Sequence, residues 1–192
     1  MRVPTEERPL LAGPDSGPEP PFPLRLKGPV IKGFGRGSKE LQIPTANIPI
    51  SGLSVGGCSE IESGIYYGFA SLNLPPSHPD YAPSGGTVFP MVMSVGWNPF
   101  YKNTVRSVEV HIIHSFKADF YGVEMRLVVL GWIRPEYDYV SKEALIDDIK
   151  MDIRVGLESL KRPAYAKFRE DPFLTAFEEE EKEDASPSSE KL

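Results

Sequence analysis

One stretch of this chain, and no other, repeats its apolar residues at helical spacing. Leu145, Ile149, Ile153, Leu157 and Leu160 recur every three or four positions, Ser141 stands where a cap belongs, and Pro163 stops the run. Glu143, Asp147 and Asp148 lie toward the positive end of that helix. Nearly everything ahead of it reads as strand. Residues 24–31 alternate apolar and polar, 64–72 are aromatic and β-branched, and 88–96 follow in kind. Residues 106–116 are strongly β-branched, and 123–134 alternate before becoming wholly apolar. Pro90 marks a bulge or an edge position. Many strands, turn signals between them and one helix restrict the fold to a barrel or sandwich, with the helix covering one side or mouth.

The ends differ from this middle. Residues 1–20 are rich in Pro, Gly and Glu and read as a disordered tail, 21–177 as the folded domain, and 178–192 as an acidic disordered tail. A proline-rich segment, 72–87, reads as a long loop between two strands. The chain carries 27 acidic and 21 basic residues, a net charge of −6, and most of the excess sits in the acidic tail. That balance argues against a general nucleic-acid binder. Cys58 is the lone cysteine, so no intramolecular disulfide forms and a reducing compartment is expected. No apolar run is long enough for a bilayer, and the N-terminus lacks a signal-peptide core. A cytoplasmic monomer without membrane contact is expected.

The chemistry gathers in 28–47. Gly33, Gly35 and Gly37 stand among Lys32, Arg36 and Lys39, and Pro44-Thr45-Ala46-Asn47 closes the segment. Glycines let backbone N–H groups approach a phosphate, and the cations supply charge. The spacing matches neither a Walker A motif nor a dinucleotide fingerprint, and an ordinary flexible turn fits it equally well. Thr45 and Asn47 share a side if the chain is extended there, and offer two neutral oxygens to a hard cation whose other ligands come from phosphates. Local turn hydrogen bonds are the other reading. Glu109 interrupts the apolar strand V-E-V-H-I-I-H. Either its face is solvated or it accepts a proton in phosphoryl transfer. His111 and His114 face opposite ways on a strand and make no zinc site.

Taken together, G-F-G-R-G-S-K-E-L-Q-I-P-T-A-N, G-I-Y-Y-G, S-V-G-W-N-P-F-Y-K-N-T, V-E-V-H-I-I-H-S-F-K-A-D-F-Y-G and G-W-I-R-P-E resemble the riboflavin kinase family in its single-function eukaryotic form. The resemblance runs from about residue 24 to 173. It implies a six-stranded antiparallel Greek-key β-barrel with a C-terminal α-helix packed at its side, and transfer of the γ-phosphoryl group of ATP to the 5′-hydroxyl of riboflavin, giving FMN and ADP. By the same resemblance Glu109 is the catalytic base. Gly33 and Lys39 belong to the nucleotide-holding loop, Thr45 and Asn47 bind Mg²⁺ (or Zn²⁺) and ATP phosphates, and Ile112, His114 and Tyr121 line the nucleotide site. Arg134, Glu136 and Tyr139 belong to a loop closing over the flavin. Gln42 stands where many members have glycine. With fewer than 30 residues ahead of the first strand, no adenylyltransferase domain of the bifunctional members is expected. A flavin- or nucleotide-binding barrel without catalysis is the alternative, and it has no need of Thr45, Asn47 and Glu109 together.

Overall fold

The structure, a computed structural model, describes residues 8–32, 43–49, 61–83, 87–97 and 107–177. Six antiparallel strands form one curled sheet: β1 (Leu24–Pro29), β2 (Ala46–Ile48), β3 (Gly64–Leu72), β4 (Val88–Gly96), β5 (Ser107–Ile112) and β6 (Glu124–Arg134). Their order is β1-β6-β3-β4-β5-β2. β6 returns to insert between β1 and β3, as a Greek key requires. A bridge between Ile31 and Asn47, with the Ile31 N–H donating to the Asn47 carbonyl at 2.9 Å, draws the two edges together. The expected six-stranded barrel is therefore the architecture found.

The two faces bury different clusters. Inward, Tyr66, Met91, Met93, Val108, Val110, Ile112, Leu127 and Val129 fill the barrel. Outward, Tyr67, Phe69, Val92, Val128 and Leu130 pack against Leu160, Tyr165 and Leu174 from the C-terminal helices. Strands buried on both faces lose their polar alternation, which is why β6 reads as a continuous apolar run.

Three expectations change. Pro90 lies in a central strand rather than at an edge or bulge. Its carbonyl accepts from Ile113 at 2.9 Å, and its nitrogen faces the same side, just past the last β4–β5 pair, Met91 with Ile112. No ladder donor is needed there. The strand read over 106–116 stops as β5 at Ile112, where His114 N–H turns back to the Ile112 carbonyl at 2.8 Å. Lastly, the buried face of helix α1 (Lys142–Leu160) is Leu145, Asp152, Val155, Gly156, Ser159 and Leu160, not the whole expected aliphatic stripe. Gly156 permits close approach, since a methyl there would stand 3.0 Å from Val92 Cγ1. Ser141 does cap the helix, accepting from the Ala144 N–H at 3.1 Å.

The expected disordered tail 1–20 also needs correction over its described part, residues 8–20. Ala12 N–H donates to Ser159 Oγ at 2.9 Å, Tyr67 donates to the Ala12 carbonyl at 2.7 Å, and Tyr165 donates to the Pro14 carbonyl at 2.9 Å. Composition misses this because the segment is held mostly through backbone groups and the Arg8 guanidinium, while the partner side chains lie far along the chain. Residues 1–7 and the acidic stretch 178–192 fall outside the described residues.

A buried charge cluster ties these parts together. Arg134 donates to Asp152 through Nε (2.9 Å) and Nη2 (2.7 Å), and Arg8 Nη1 meets the same carboxylate at 2.5 Å. Arg8 and Tyr139 both reach Asp148. Two guanidiniums thus face two carboxylates. Burial lifts the Asp152 carboxyl above the ordinary range, but paired donors on both oxygens leave no place for a proton, and the pair is ionised. Burial also works against the Arg134 charge; hydrogen bonds and charge from Asp152 outweigh it and hold the guanidinium above its usual value. Asp152→Ala leaves Arg134 buried without its partner and is expected to lower stability by about 3–5 kcal/mol, measured by urea unfolding.

Candidate active site

Register carries a single row of side chains across the outer face. Asn47 on β2 pairs with Glu109 on β5, Glu109 with Ser94 on β4, Ser94 with Ile65 on β3, and Ile65 with Arg134 on β6. Directly opposed residues project to the same face with Cβ atoms about 5 Å apart. Glu109 therefore lies beside Asn47, which is buried, and Ser107 Oγ donates to its Oε1 at 3.3 Å. From Glu109 to Arg134 the row spans three strand spacings, roughly 14 Å.

At the far end of the row the chain leaves β6 through Pro135 and turns back over the sheet. The Trp97 N–H donates to Glu136 Oε2 at 3.3 Å. Gly96 leaves that space open, because an added Cβ would collide with the Glu136 carboxylate. The Arg134 guanidinium is occupied by Asp152 and stacks 4.9 Å above the Tyr137 ring. Burial raises the Tyr139 hydroxyl's pKa, Arg134 opposes that, and the bond to Asp148 adds to it. Of the three residues expected over a flavin, Arg134 and Tyr139 are thus anchored in the charge cluster, while Glu136 reaches Gly96 and Trp97 at the end of β4.

A cavity of about 260 Å³ opens at the other end of β2 and β5, on the inner face. Thr45, Ala46, Val110, Ile112, His114, Phe116 and Tyr121 line it. The structure therefore brings Thr45, Ile112, His114 and Tyr121 around one space, with Asn47 and Glu109 on the opposite face of the same strands. Gly33, Lys39 and Gln42 lie outside the described residues. Sequence reasoning passed over Ser94, which only the β4–β5 register reveals. It also passed over Phe116, whose place after the β5 strand carried no separate signal.

His111 fastens the Pro44-Thr45-Ala46-Asn47 segment to β5. Its Nδ1–H donates to the Pro44 carbonyl at 2.7 Å, so in the neutral ring the proton sits on Nδ1. Thr45 and Asn47 are neutral oxygen donors at the cavity rim and beside Glu109, a set that fits a hard divalent cation sharing phosphate oxygens. No three His, Cys, Asp or Glu side chains converge as a metal group among the described residues.

Comparisons with known proteins bear on this arrangement. A family model described as "Flavokinase: Riboflavin kinase" matches residues 20–160. The riboflavin kinase of Pyricularia oryzae is 58% identical over 163 residues, covering 82% of this chain and 81% of that protein. The riboflavin kinase of Aspergillus terreus is 50% identical, covering 88% of each. The crystal structure of riboflavin kinase from Trypanosoma brucei superposes with a TM-score of 0.57 at 26% identity, covering 86% of this chain and 91% of that one.

Burial pushes the His111 imidazole below its ordinary pKa, partly offset by the Pro44 carbonyl. Such a group takes a proton more readily in the unfolded chain. Its contribution to stability is complete above about pH 6.5 and is lost as pH falls toward the folded-state value. The melting temperature is expected to fall between about pH 7.5 and about pH 5, and to fall less in His111→Gln, which cannot titrate there. Thermal melts across that range check this.

Proposed function

The chain belongs to the riboflavin kinase family, and we propose that it works across the β2 edge, with the nucleotide at the barrel mouth and the flavin along the outer row. Riboflavin kinases move the γ-phosphoryl group of ATP to the 5′-hydroxyl of riboflavin, forming FMN. The observation that carries the placement is the direct pairing of Asn47 with Glu109, on the strands whose inner face borders the cavity.

In this reading the adenine and ribose occupy the space lined by Ile112, His114 and Tyr121, and the phosphates cross the rim at Thr45. Gly33 and Lys39, which lie outside the described residues, supply the phosphates with a backbone N–H and positive charge. Thr45 and Asn47 hold a divalent cation, Mg²⁺ being the better match to their hard oxygens. When bound, the cation neutralises charge building on the phosphate oxygens. Glu109 accepts the proton of the 5′-hydroxyl as its oxygen bonds to phosphorus and the bond to ADP breaks. Glu136 borders the flavin's row at the end of β4, beside Gly96 and Trp97. Arg134 and Tyr139 act through Asp152 and Asp148, holding the 135–140 segment where Glu136 can reach.

Glu109→Gln keeps the shape and removes the base. Its kcat is expected to fall by about 100-fold or more, with riboflavin affinity little changed, read as FMN by chromatography and binding by flavin fluorescence. A kcat within a fewfold of wild type would remove Glu109 from this role. Thr45→Ala is expected to raise the Mg²⁺ concentration needed for half-maximal rate by about tenfold, measured by titrating the metal at fixed ATP.

A further inference from the structure

The proline-rich segment between β3 and β4 grips the wall of the cavity. Two turns, His78 N–H to the Pro75 carbonyl at 2.9 Å and Tyr81 N–H to the His78 carbonyl at 3.0 Å, give its described part a fixed shape. From that shape His78 and Asp80 reach the 114–121 segment, which forms one side of the cavity. Asp80 Oδ2 accepts the Lys117 N–H at 2.8 Å, and Asp80 Oδ1 stands 3.7 Å from His114 Nε2. His78 Nδ1 accepts the Asp80 N–H at 3.1 Å, which leaves Nε2–H to donate to the Ala118 carbonyl at 3.3 Å. The two residues thus hold the N–H of Lys117 and the carbonyl of Ala118, successive positions in the wall.

Aromatic contacts continue the grip. The His78 ring meets Phe120 edge-on at 6.5 Å, and Phe120 packs on Phe116 at 4.6 Å. Phe89, at the start of β4, stacks on His114 at 4.3 Å and meets Phe116 at 5.4 Å. The bond from Lys117 holds the Asp80 carboxyl below the usual carboxylate range, as a backbone N–H given to a charged acceptor should. None of these residues except His114 and the 116–120 wall itself lines the cavity.

We propose that His78 and Asp80 are positioning residues for the nucleotide: they set the wall segment 114–121 in the shape that accepts the adenosine part of ATP, without touching it. This rests on the cavity being the nucleotide site. A wall segment of exposed residues such as Ser115, Lys117, Ala118 and Asp119 has little burial of its own to fix it. The clamp therefore acts on nucleotide affinity and leaves the flavin row untouched.

The test compares steady-state constants of wild type, Asp80→Ala, Asp80→Asn and Ile112→Trp, with melting curves to confirm folding. Ile112→Trp fills the cavity itself. Asp80→Ala is expected to raise the KM for ATP about tenfold, with kcat and the KM for riboflavin within about twofold. Asp80→Asn keeps a carbonyl for the Lys117 N–H and is expected to recover most of the loss. An unchanged ATP KM in Asp80→Ala, with a raised one in Ile112→Trp, overturns the clamp and leaves the nucleotide reading standing. An unchanged ATP KM in Ile112→Trp overturns the nucleotide reading and the clamp with it. Equal rises for ATP and riboflavin in Asp80→Ala, not recovered by Asp80→Asn, would make the segment a general structural support and also overturn the proposal. Should Asp80→Ala melt far below wild type, His78→Gln, which keeps a side-chain donor for the Ala118 carbonyl, is compared with His78→Ala by the same split.

Discussion

The two-residue alternation of β5 is the constraint on which the site depends. Val108, Val110 and Ile112 must point inward to fill the barrel, and all three are nearly inaccessible. That leaves Glu109 and His111 outward, whatever they do there. A one-residue slip would bury a carboxylate and expose three apolar side chains, so hydrophobic packing fixes the face on which the acid lies. β2 then takes its register from β5, which sets Asn47 beside Glu109 and Thr45 at the cavity rim. The barrel core and the proposed phosphoryl-transfer groups are two sides of the same strands.

A second constraint holds the other end of the row. The chain leaves β6 at Arg134, whose guanidinium is committed to Asp152 on α1. The neighbouring Asp148 takes Arg8 and Tyr139. Charge in this cluster balances only with residue 8 included, so the N-terminal segment, the helix and the 135–140 turn form one unit. Buried pairs of this sort are weak sources of net stability but strong penalties against disassembly. Glu136 reaches Trp97 from a turn anchored on both sides by that cluster.

Much of this was legible in the sequence. β3 and β4 begin and end where their β-branched and aromatic runs do, and Ser141 and Pro163 bracket α1 as expected. Glu109 stood out because a carboxylate in an apolar strand demands an explanation. β2 did not stand out as a strand, since three residues are too few to show a period; it exists through pairing with β5. The N-terminal segment looked disordered because its stabilising partners, Ser159, Tyr165 and Asp152, lie about 140 or more positions away. Asp152 itself was hidden on the helix face that periodicity marks as apolar. Arg134 read as a flavin-loop residue by motif alone; its contacts make it an anchor for that loop. The proline-rich segment read as a loop without a role, because its contacts to Lys117 and Ala118 cannot be inferred from turn residues.

The proposed nucleotide and flavin sites lie on opposite faces of the β2–β5 edge and meet at Asn47 and Glu109. Diffraction from crystals grown with ADP, Mg²⁺ and riboflavin tests that most directly. The adenine is expected among Ile112, His114 and Tyr121, and the flavin over Ser94 and Ile65 with its 5′-hydroxyl within hydrogen-bonding reach of Glu109. A flavin lodged in the barrel-mouth cavity, or a 5′-hydroxyl far from Glu109 with both ligands bound, would contradict it.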